Sequence, residues 1–162
     1  VEHFARLAGA LEGATRRVMV SFVDLYRKTR RRLGALEGGA AWCAAPSRDA
    51  RLELMARLAR TAAAAGIEAR ACAEPEDLTP VGVPAGRCID PGLLNRLFGL
   101  GLPDRVDRGQ RPACRCAPSR DIGVNHTCLH GCVYCYATSS DAEARRRHAR
   151  HDPDGEMLVP LA

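Results

Sequence analysis

Eight cysteines constrain what this chain can fold into more than any other feature of its sequence. Five of them fall within residues 114–135, and only one or two residues separate the members of two pairs, Cys114/Cys116 and Cys132/Cys135. Such spacing favours several sulfurs on a shared metal over separate disulfide bonds, which are typical of small secreted chains without an adequate core. We therefore expect metal or cluster ligation in a reducing, cytoplasmic setting, with disulfides and ordinary buried or redox thiols as the alternatives. The full set is Cys43, Cys72, Cys88, Cys114, Cys116, Cys128, Cys132 and Cys135.

Composition places the chain among globular proteins. Its 162 residues, 46% of them hydrophobic, suffice for one core, and no apolar run approaches the roughly 20 residues of a membrane span. The net charge of +5 comes from arginine, which is concentrated in residues 27–32 and 145–148. Such runs either contact nucleic-acid phosphates or form solvated helix faces. We expect no membrane segment, and nucleic acid stays open as an alternative partner.

Hydrophobic periodicity predicts an α/β fold followed by a cysteine-rich, irregular metal-cluster segment. A helix near the N-terminus, an apolar strand over 17–23, a helical connection and a second strand over 67–72 give the alternation of a parallel sheet with crossovers. Ser47 is a predicted N-cap of the long helix before the second strand. Residues 101–140 have almost no periodicity, which is uncommon unless a metal organises the segment. The predicted domains are 1–100 (α/β), 101–140 (iron–sulfur segment) and 141–162 (basic C-terminal tail).

The sharpest motif has C-x3-C-x2-C spacing, with Cys128, Cys132 and Cys135 on one short stretch and Tyr134 just before the last cysteine. Three thiolates on a tight loop can hold three corners of a cubane [4Fe–4S] cluster, so the fourth iron stays open to a small ligand. Gly131 is expected to let the loop bend around the cluster. Zinc with a histidine as fourth ligand, and a redox dithiol, are the alternatives.

Polar residues flank this motif. Asp121, Asn125, His126 and His130 are candidates to orient a ligand or to donate a hydrogen bond to a cluster sulfur. The two histidines are also the local candidates for a zinc ligand. Solvated loop positions are the simpler interpretation for each of them.

A second set of cysteines remains after the motif is removed. Cys72, Cys88, Cys114 and Cys116 supply the four thiolates of a closed site, either a second [4Fe–4S] cluster or a tetrahedral zinc. The alternative is that Cys72 and Cys88 are small buried apolar residues. Cys43 has no partner and is expected to be structural.

The C-x3-C-x2-C motif resembles the signature of radical S-adenosylmethionine (SAM) enzymes. That resemblance implies SAM on the open iron, an external electron donor, and cleavage of SAM to a radical that abstracts hydrogen from a substrate. The chain departs from those enzymes in two respects. It ends soon after Cys135, and it has no recognisable glycine-rich segment for the SAM amine.

The chain as a whole resembles the bacterial family called domain of unknown function 1848. The resemblance rests on segments that follow in the same order, namely 21–26, 72–74, 88–90, 110–111, 114–116, 119–123 and 128–137. It implies that the chain is the C-terminal half of a longer protein, so that its α/β part is a partial (β/α) barrel-like unit. Because the sequence opens on Val1 rather than Met, we also expect a fragment or processed chain.

These observations predict an iron–sulfur protein of radical SAM-like type with an unknown small-molecule or macromolecular substrate. The alternative is a non-catalytic module, stapled by zinc or clusters, that binds nucleic acid or protein.

Overall fold

The computed structural model describes residues 1–159, apart from the side chains of residues 40 and 42. The last three residues of the predicted tail 141–162 therefore lie outside the described residues. Within the described part, helices alternate with two strands in the first half and a long irregular stretch follows, as expected. In chain order the elements are α1 (Glu2–Ala10), β1 (Arg17–Val20), α2 (Arg27–Gly34), α3 (Gly39–Trp42), α4 (Arg48–Ala64), β2 (Glu68–Ala71), a 3₁₀ turn (Thr79–Val81), α5 (Pro91–Phe98) and α6 (Asp141–Ala149).

The strands β1 and β2 pair in parallel, with Arg17 opposite Glu68 and Val20 opposite Ala71. This confirms the predicted mixture of helix and parallel strand. The two strands form a two-stranded sheet, and no barrel is seen among the described residues. Every residue of β1 is half-buried rather than buried. Its continuous apolar run therefore reflects partial cover on both faces rather than a central position in a wide sheet.

The helix α4 supplies the crossover between the strands. The Ser47 hydroxyl accepts a hydrogen bond from the Ala50 N–H at 3.2 Å, so the predicted cap is confirmed. Gly66, with φ of +68°, follows the end of the helix. Met55 and Ala62 face the core with Ile67 and Val83, whereas the neighbouring Leu54 is 37% exposed. The core contains many alanines, and their small side chains allow α4 and β2 to pack closely.

Residues 84–86 run beside β2. The Ala71 N–H donates to the Pro84 carbonyl at 2.9 Å, and the Gly86 N–H donates to the Ala71 carbonyl at 2.7 Å. A side chain at Gly86 would place its Cβ 2.7 Å from both Arg70 Cβ and Met19 Cε. Only glycine permits this approach, which carries the following residues, including Cys88, to the end of β2.

Helices also lie in two other stretches of the chain. Residues 36–45 include the short helix α3, and the basic tail includes α6, whose N-cap Ser140 accepts a hydrogen bond from the Glu143 N–H at 3.3 Å. In contrast, residues 101–140 contain neither helix nor strand, which confirms the irregular segment. None of the helices in the described chain is long and apolar enough to cross a membrane.

The chain divides into two compact units. The first comprises residues 1–23 and 46–119, with the sheet, α1, α4 and α5. The second comprises residues 24–45 and the chain from Arg120 onward, with α2, α3 and α6. The division predicted above into 1–100, 101–140 and 141–162 stays a prediction. Each unit contains one of the two cysteine sets: the four-cysteine set lies in the first and the C-x3-C-x2-C motif in the second.

Candidate metal centres

The three-cysteine motif lies on a loop whose ends are tied together. The His126 N–H donates to the Ala137 carbonyl at 3.2 Å, and the Ser139 N–H donates to His126 Nδ1 at 3.3 Å. His126 adopts a left-handed backbone conformation, with φ of +60°. Arg147 of α6 donates to the Asn125 carbonyl at 2.8 Å and so holds the same end of the loop. The thirteen-residue segment from His126 to Thr138 is therefore closed at its base, with all three cysteines inside it.

Cys135 has the surroundings of a thiolate. Its sulfur accepts a hydrogen bond from the Thr138 N–H at 3.3 Å, which lowers its pKa most, and the Ala137 N–H adds to the effect. The charge of the Arg32 guanidinium lowers the pKa further, and Arg32 also donates to the Cys135 carbonyl at 3.0 Å. A turn closed by the Cys135 N–H on the Cys132 carbonyl, at 2.9 Å, fixes the spacing between the two cysteines.

Cys128 and Cys132 are exposed, so they are accessible to an incoming metal or cluster. Gly131 has φ of +63°, and an added Cβ would meet no protein atom within 4 Å. Glycine is therefore favoured at this position by backbone conformation rather than by contacts within the protein. The bending of the loop around a cluster stays a prediction. Throughout the described residues, no three His, Cys, Asp or Glu side chains are already arranged around a common metal position. The three thiols of the loop are thus not yet arranged as a coordination site.

A cavity of about 320 Å³ adjoins this loop. It combines one cationic side chain, Arg32, with one acidic side chain, Asp141, beside Cys132. Thr138 is only 6% exposed, and its hydroxyl makes no hydrogen bond of normal distance and angle among the described residues. The hydroxyl is nevertheless close enough to the Cys135 sulfur to lower the pKa of that thiol. A buried hydroxyl without a hydrogen-bond partner is unusual in a folded protein. The lining residues are Arg32, Ala35, Gly131, Cys132, Val133, Thr138, Ser139 and Asp141.

The four-cysteine set comes together in the first unit. The sulfurs of Cys72 and Cys88 lie 3.2 Å apart. The Cys116 sulfur accepts hydrogen bonds from the N–H groups of Cys88, at 3.2 Å, and Ile89, at 3.5 Å. Cys114 lies beside Cys116, and both are buried, with exposed fractions of 8% and 9%. Residues from three separate segments therefore lie near one another here, and the second metal site expected on them stays a prediction.

Ionisation differs sharply within this set. Loss of hydration at the sulfur, the largest cause, and the neighbouring Cys72 and Cys116 sulfurs together raise the pKa of Cys88 to about 12. Burial also raises the pKa of Cys114. At Cys116 burial opposes ionisation, but hydrogen bonds from the Ile89 and Cys88 N–H groups and from the Cys114 thiol outweigh it and lower the pKa. Of these three thiols, Cys116 is therefore the one whose ionised form the surroundings favour.

The remaining predicted residues are dispersed. The Asp121 carboxylate accepts the Gly123 N–H at 2.7 Å in a local turn, and His130 is exposed. The Cys43 thiol donates to the Arg30 carbonyl at 3.7 Å, which agrees with a structural role. Arg32, Thr138 and Asp141 were not singled out from the sequence. The only signal was positional, because Thr138 lies three residues after a predicted ligand, where its N–H can reach back to the sulfur.

Fold and sites together define an α/β protein with two separate cysteine sets. The chain belongs to the family described as domain of unknown function (DUF1848), whose family model matches residues 1–137. All eight cysteines fall inside that match. No curated protein and no solved structure matches the chain.

Proposed function

We propose that this chain is an iron–sulfur protein in which Cys128, Cys132 and Cys135 hold a [4Fe–4S] cluster. One observation carries the proposal: the three thiols lie on one loop tied at its base by His126, and the Cys135 sulfur already accepts hydrogen bonds from main-chain N–H groups. Such donors stabilise a ligating thiolate and tune the potential of a cluster. The donor set fits iron–sulfur chemistry, because the loop offers three thiolates and leaves one corner for another ligand.

The cavity beside Cys132 supports a small ligand at that open corner. Its volume lies at the lower end of the range for small-molecule sites, which is about 300–1,000 Å³. Arg32 can pair with a carboxylate, Asp141 with an ammonium group, and the Thr138 hydroxyl can bond a further polar atom. This combination suits the amino-acid end of SAM. A reduced cluster supplies a single electron to such a ligand, which is the basis of a radical SAM-like activity.

The rest of the chain extends the proposal. The β1–α4–β2 unit, with its parallel strands, is proposed as part of a (β/α) barrel. An electron donor and a reducing, cytoplasmic setting follow from the cluster chemistry rather than from any feature of the fold. The substrate is proposed to be a small molecule or a macromolecule that reaches the exposed motif.

Anaerobic reconstitution with iron and sulfide tests the cluster. We expect about four irons and four sulfides per chain on the motif, with an EPR signal in the reduced protein. The Cys128→Ser/Cys132→Ser/Cys135→Ser variant should lose both, whereas the Cys43→Ser control should keep them. A protein that takes up no iron, or whose iron is unchanged in the triple variant, would contradict the proposal.

Titration with SAM tests the ligand separately. SAM should change the EPR signal of the reduced protein, and Asp141→Asn should weaken its binding at least 10-fold at unchanged iron content. Asp121→Asn is the matched control, because Asp121 is an acidic residue of the same unit that does not line the cavity. If SAM leaves the wild-type spectrum unchanged, the cluster stands and the radical chemistry does not.

The alternative, a non-catalytic module for nucleic acid or protein, draws its support from the exposed arginines of α2, among them Arg30 and Arg31. Other basic residues already have partners within the second unit: Arg146 and Arg147 pair with Glu143, and Arg32 bonds the Cys135 carbonyl. Zinc on the three-cysteine motif, together with salt-dependent binding of nucleic acid, would favour this alternative.

A further inference from the structure

We infer that Cys72, Cys88, Cys114 and Cys116 form a closed, four-thiolate site for a single structural zinc ion. The four residues come from three segments that have little regular structure of their own. Cys72 follows β2, Cys88 follows the segment that pairs with β2, and Cys114 and Cys116 belong to the irregular stretch after α5. A site that joins such segments is typical of structural zinc, which replaces a missing hydrophobic core by coordination.

The distance between the Cys72 and Cys88 sulfurs favours a single metal ion over a cluster. Thiolates on a single zinc, with Zn–S bonds of about 2.3 Å, have their sulfurs about 3.8 Å apart in a tetrahedron. The ligands of a cubane cluster bind different irons and are spread around a much larger body. The 3.2 Å between the Cys72 and Cys88 sulfurs is close to the zinc value, and a small outward rotation of the two side chains reaches it.

The surroundings fit a thiolate-rich ion. A zinc held by four thiolates carries net negative charge, so its sulfurs need hydrogen-bond donors. The Cys116 sulfur accepts two such bonds, from the N–H groups of Cys88 and Ile89. The Arg87 guanidinium is close enough to interact electrostatically with the same sulfur. The site contains no carboxylate among its proposed ligands, which agrees with zinc rather than with calcium or magnesium.

The backbone around the site already holds the segments in place. The Ala117 N–H donates to the Ile89 carbonyl at 3.1 Å, the Asp107 N–H to the Cys116 carbonyl at 2.9 Å, and the Cys114 N–H to the Arg111 carbonyl at 2.8 Å. These bonds place the two buried cysteines against the Cys88 turn before any metal arrives. Metal binding requires the thiols to move closer to a common point, because no three of them are arranged around one within the described chain.

Metal analysis of the full chain, purified under reducing conditions, tests the inference. We expect one zinc per chain, a loss of at least 10-fold in zinc content in Cys114→Ser/Cys116→Ser, and no loss in the Cys128→Ser/Cys132→Ser/Cys135→Ser and Cys43→Ser controls. The triple variant separates this site from the proposed cluster, because only that cluster should disappear there.

Cobalt substitution keeps the test independent of any variant that fails to fold. Co²⁺ added to the wild-type protein should give the visible absorption of a tetrahedral thiolate complex, and zinc should abolish it. The same four cysteines should resist alkylation until a chelator is added. The inference is overturned if those thiols are alkylated freely in the zinc-loaded protein. A Cys72–Cys88 disulfide in the reduced preparation, or iron rather than zinc lost from Cys114→Ser/Cys116→Ser, would overturn it as well.

Discussion

At the residue scale, Cys135 and Cys88 show how surroundings decide what a thiol can do. Main-chain N–H groups converge on the Cys135 sulfur and favour its charged form. Cys88 is an exposed residue whose sulfur lies against other sulfurs, and its neutral form is favoured. The same side chain is therefore prepared as a ligand in one place and kept protonated, in the absence of metal, in the other.

This difference predicts a pH-dependent pattern of alkylation in the metal-free protein. An ordinary thiol ionises near pH 8.5, and only the thiolate reacts. Because its pKa is lowered, Cys135 should reach half of its maximal reactivity with iodoacetamide below that pH. Cys88, with a pKa of about 12, should still react slowly well above it. Site-resolved mass spectrometry measures both, and in urea the two profiles should merge. Equal profiles in the folded protein would contradict the assignment.

Gly131 gives a second prediction at this scale. Its φ of +63° is costly for any other residue, so Gly131→Ala should destabilise the loop by about 1 kcal/mol. Gly9→Ala is the matched control, since Gly9 is inside α1 and an added Cβ meets nothing within 4 Å. That change should stabilise the protein by about 0.5–1 kcal/mol. Urea denaturation measures the free energy of unfolding of both variants. An equal loss of stability in Gly9→Ala and Gly131→Ala would contradict the role given to the positive φ of Gly131.

At the scale of elements, the approach of residues 84–86 to β2 brings Cys88 to Cys72. The pairing depends on two main-chain hydrogen bonds on Ala71 and on the absence of a side chain at Gly86. A short connection without a strand of its own thus positions half of the proposed zinc site. The proposed zinc site therefore depends on the same contacts that hold residues 84–86 against β2.

Gly86→Ala should separate these segments. The new Cβ would lie 2.7 Å from Arg70 Cβ, which is close to the backbone and cannot swing away, so we expect a loss of about 1–3 kcal/mol. Zinc content should fall with stability, because Cys88 moves away from Cys72. Gly34→Ala, where an added Cβ meets no atom within 4 Å, is the control. Unchanged thermal unfolding of Gly86→Ala would show that the contact is not tight.

Much of this architecture could be predicted from the sequence because it is local. The Ser47 cap, both strands, the Pro91 start of α5 and the irregular cysteine-rich stretch all follow from short-range patterns. Non-local features could not be predicted in the same way. The outward position of Leu54 depends on which face of α4 meets the sheet. Likewise, the roles of Arg32 and Thr138 depend on a loop closed by His126 and on the placement of α2 beside it.

At the scale of the whole molecule, the eight cysteines divide as three, four and one between two compact units. The four-thiol set brings together irregular segments of the first unit, and the three-thiol loop, in which Cys128 and Cys132 are exposed, lies beside a cavity in the second. A closed set suits stability and an open set suits chemistry. The spacing of the cysteines predicts one closed and one open set. In each set one sulfur, that of Cys116 or Cys135, accepts hydrogen bonds from main-chain N–H groups that favour its ionised form.

Removal of zinc should loosen the first unit locally. Hydrogen exchange of the chelator-treated protein should show lost protection at the Cys114, Cys116, Ala117 and Ile89 amides, which lie at or next to the proposed ligands. The α4 amides should change much less, because that helix is capped by Ser47 and packed against the core. Equal protection with and without zinc would mean that the site does not stabilise this segment.

Mössbauer spectroscopy of protein reconstituted with ⁵⁷Fe tests the central claim most directly, because it resolves the individual irons of a cluster. A [4Fe–4S] cluster on Cys128, Cys132 and Cys135 has one iron without a thiolate. SAM should therefore change the signal of one iron in four, and the signal should be missing from the triple serine variant. A spectrum without cluster iron would contradict the open-cornered cluster on which this account depends, and a spectrum in which no cluster iron responds to SAM would contradict the radical chemistry alone.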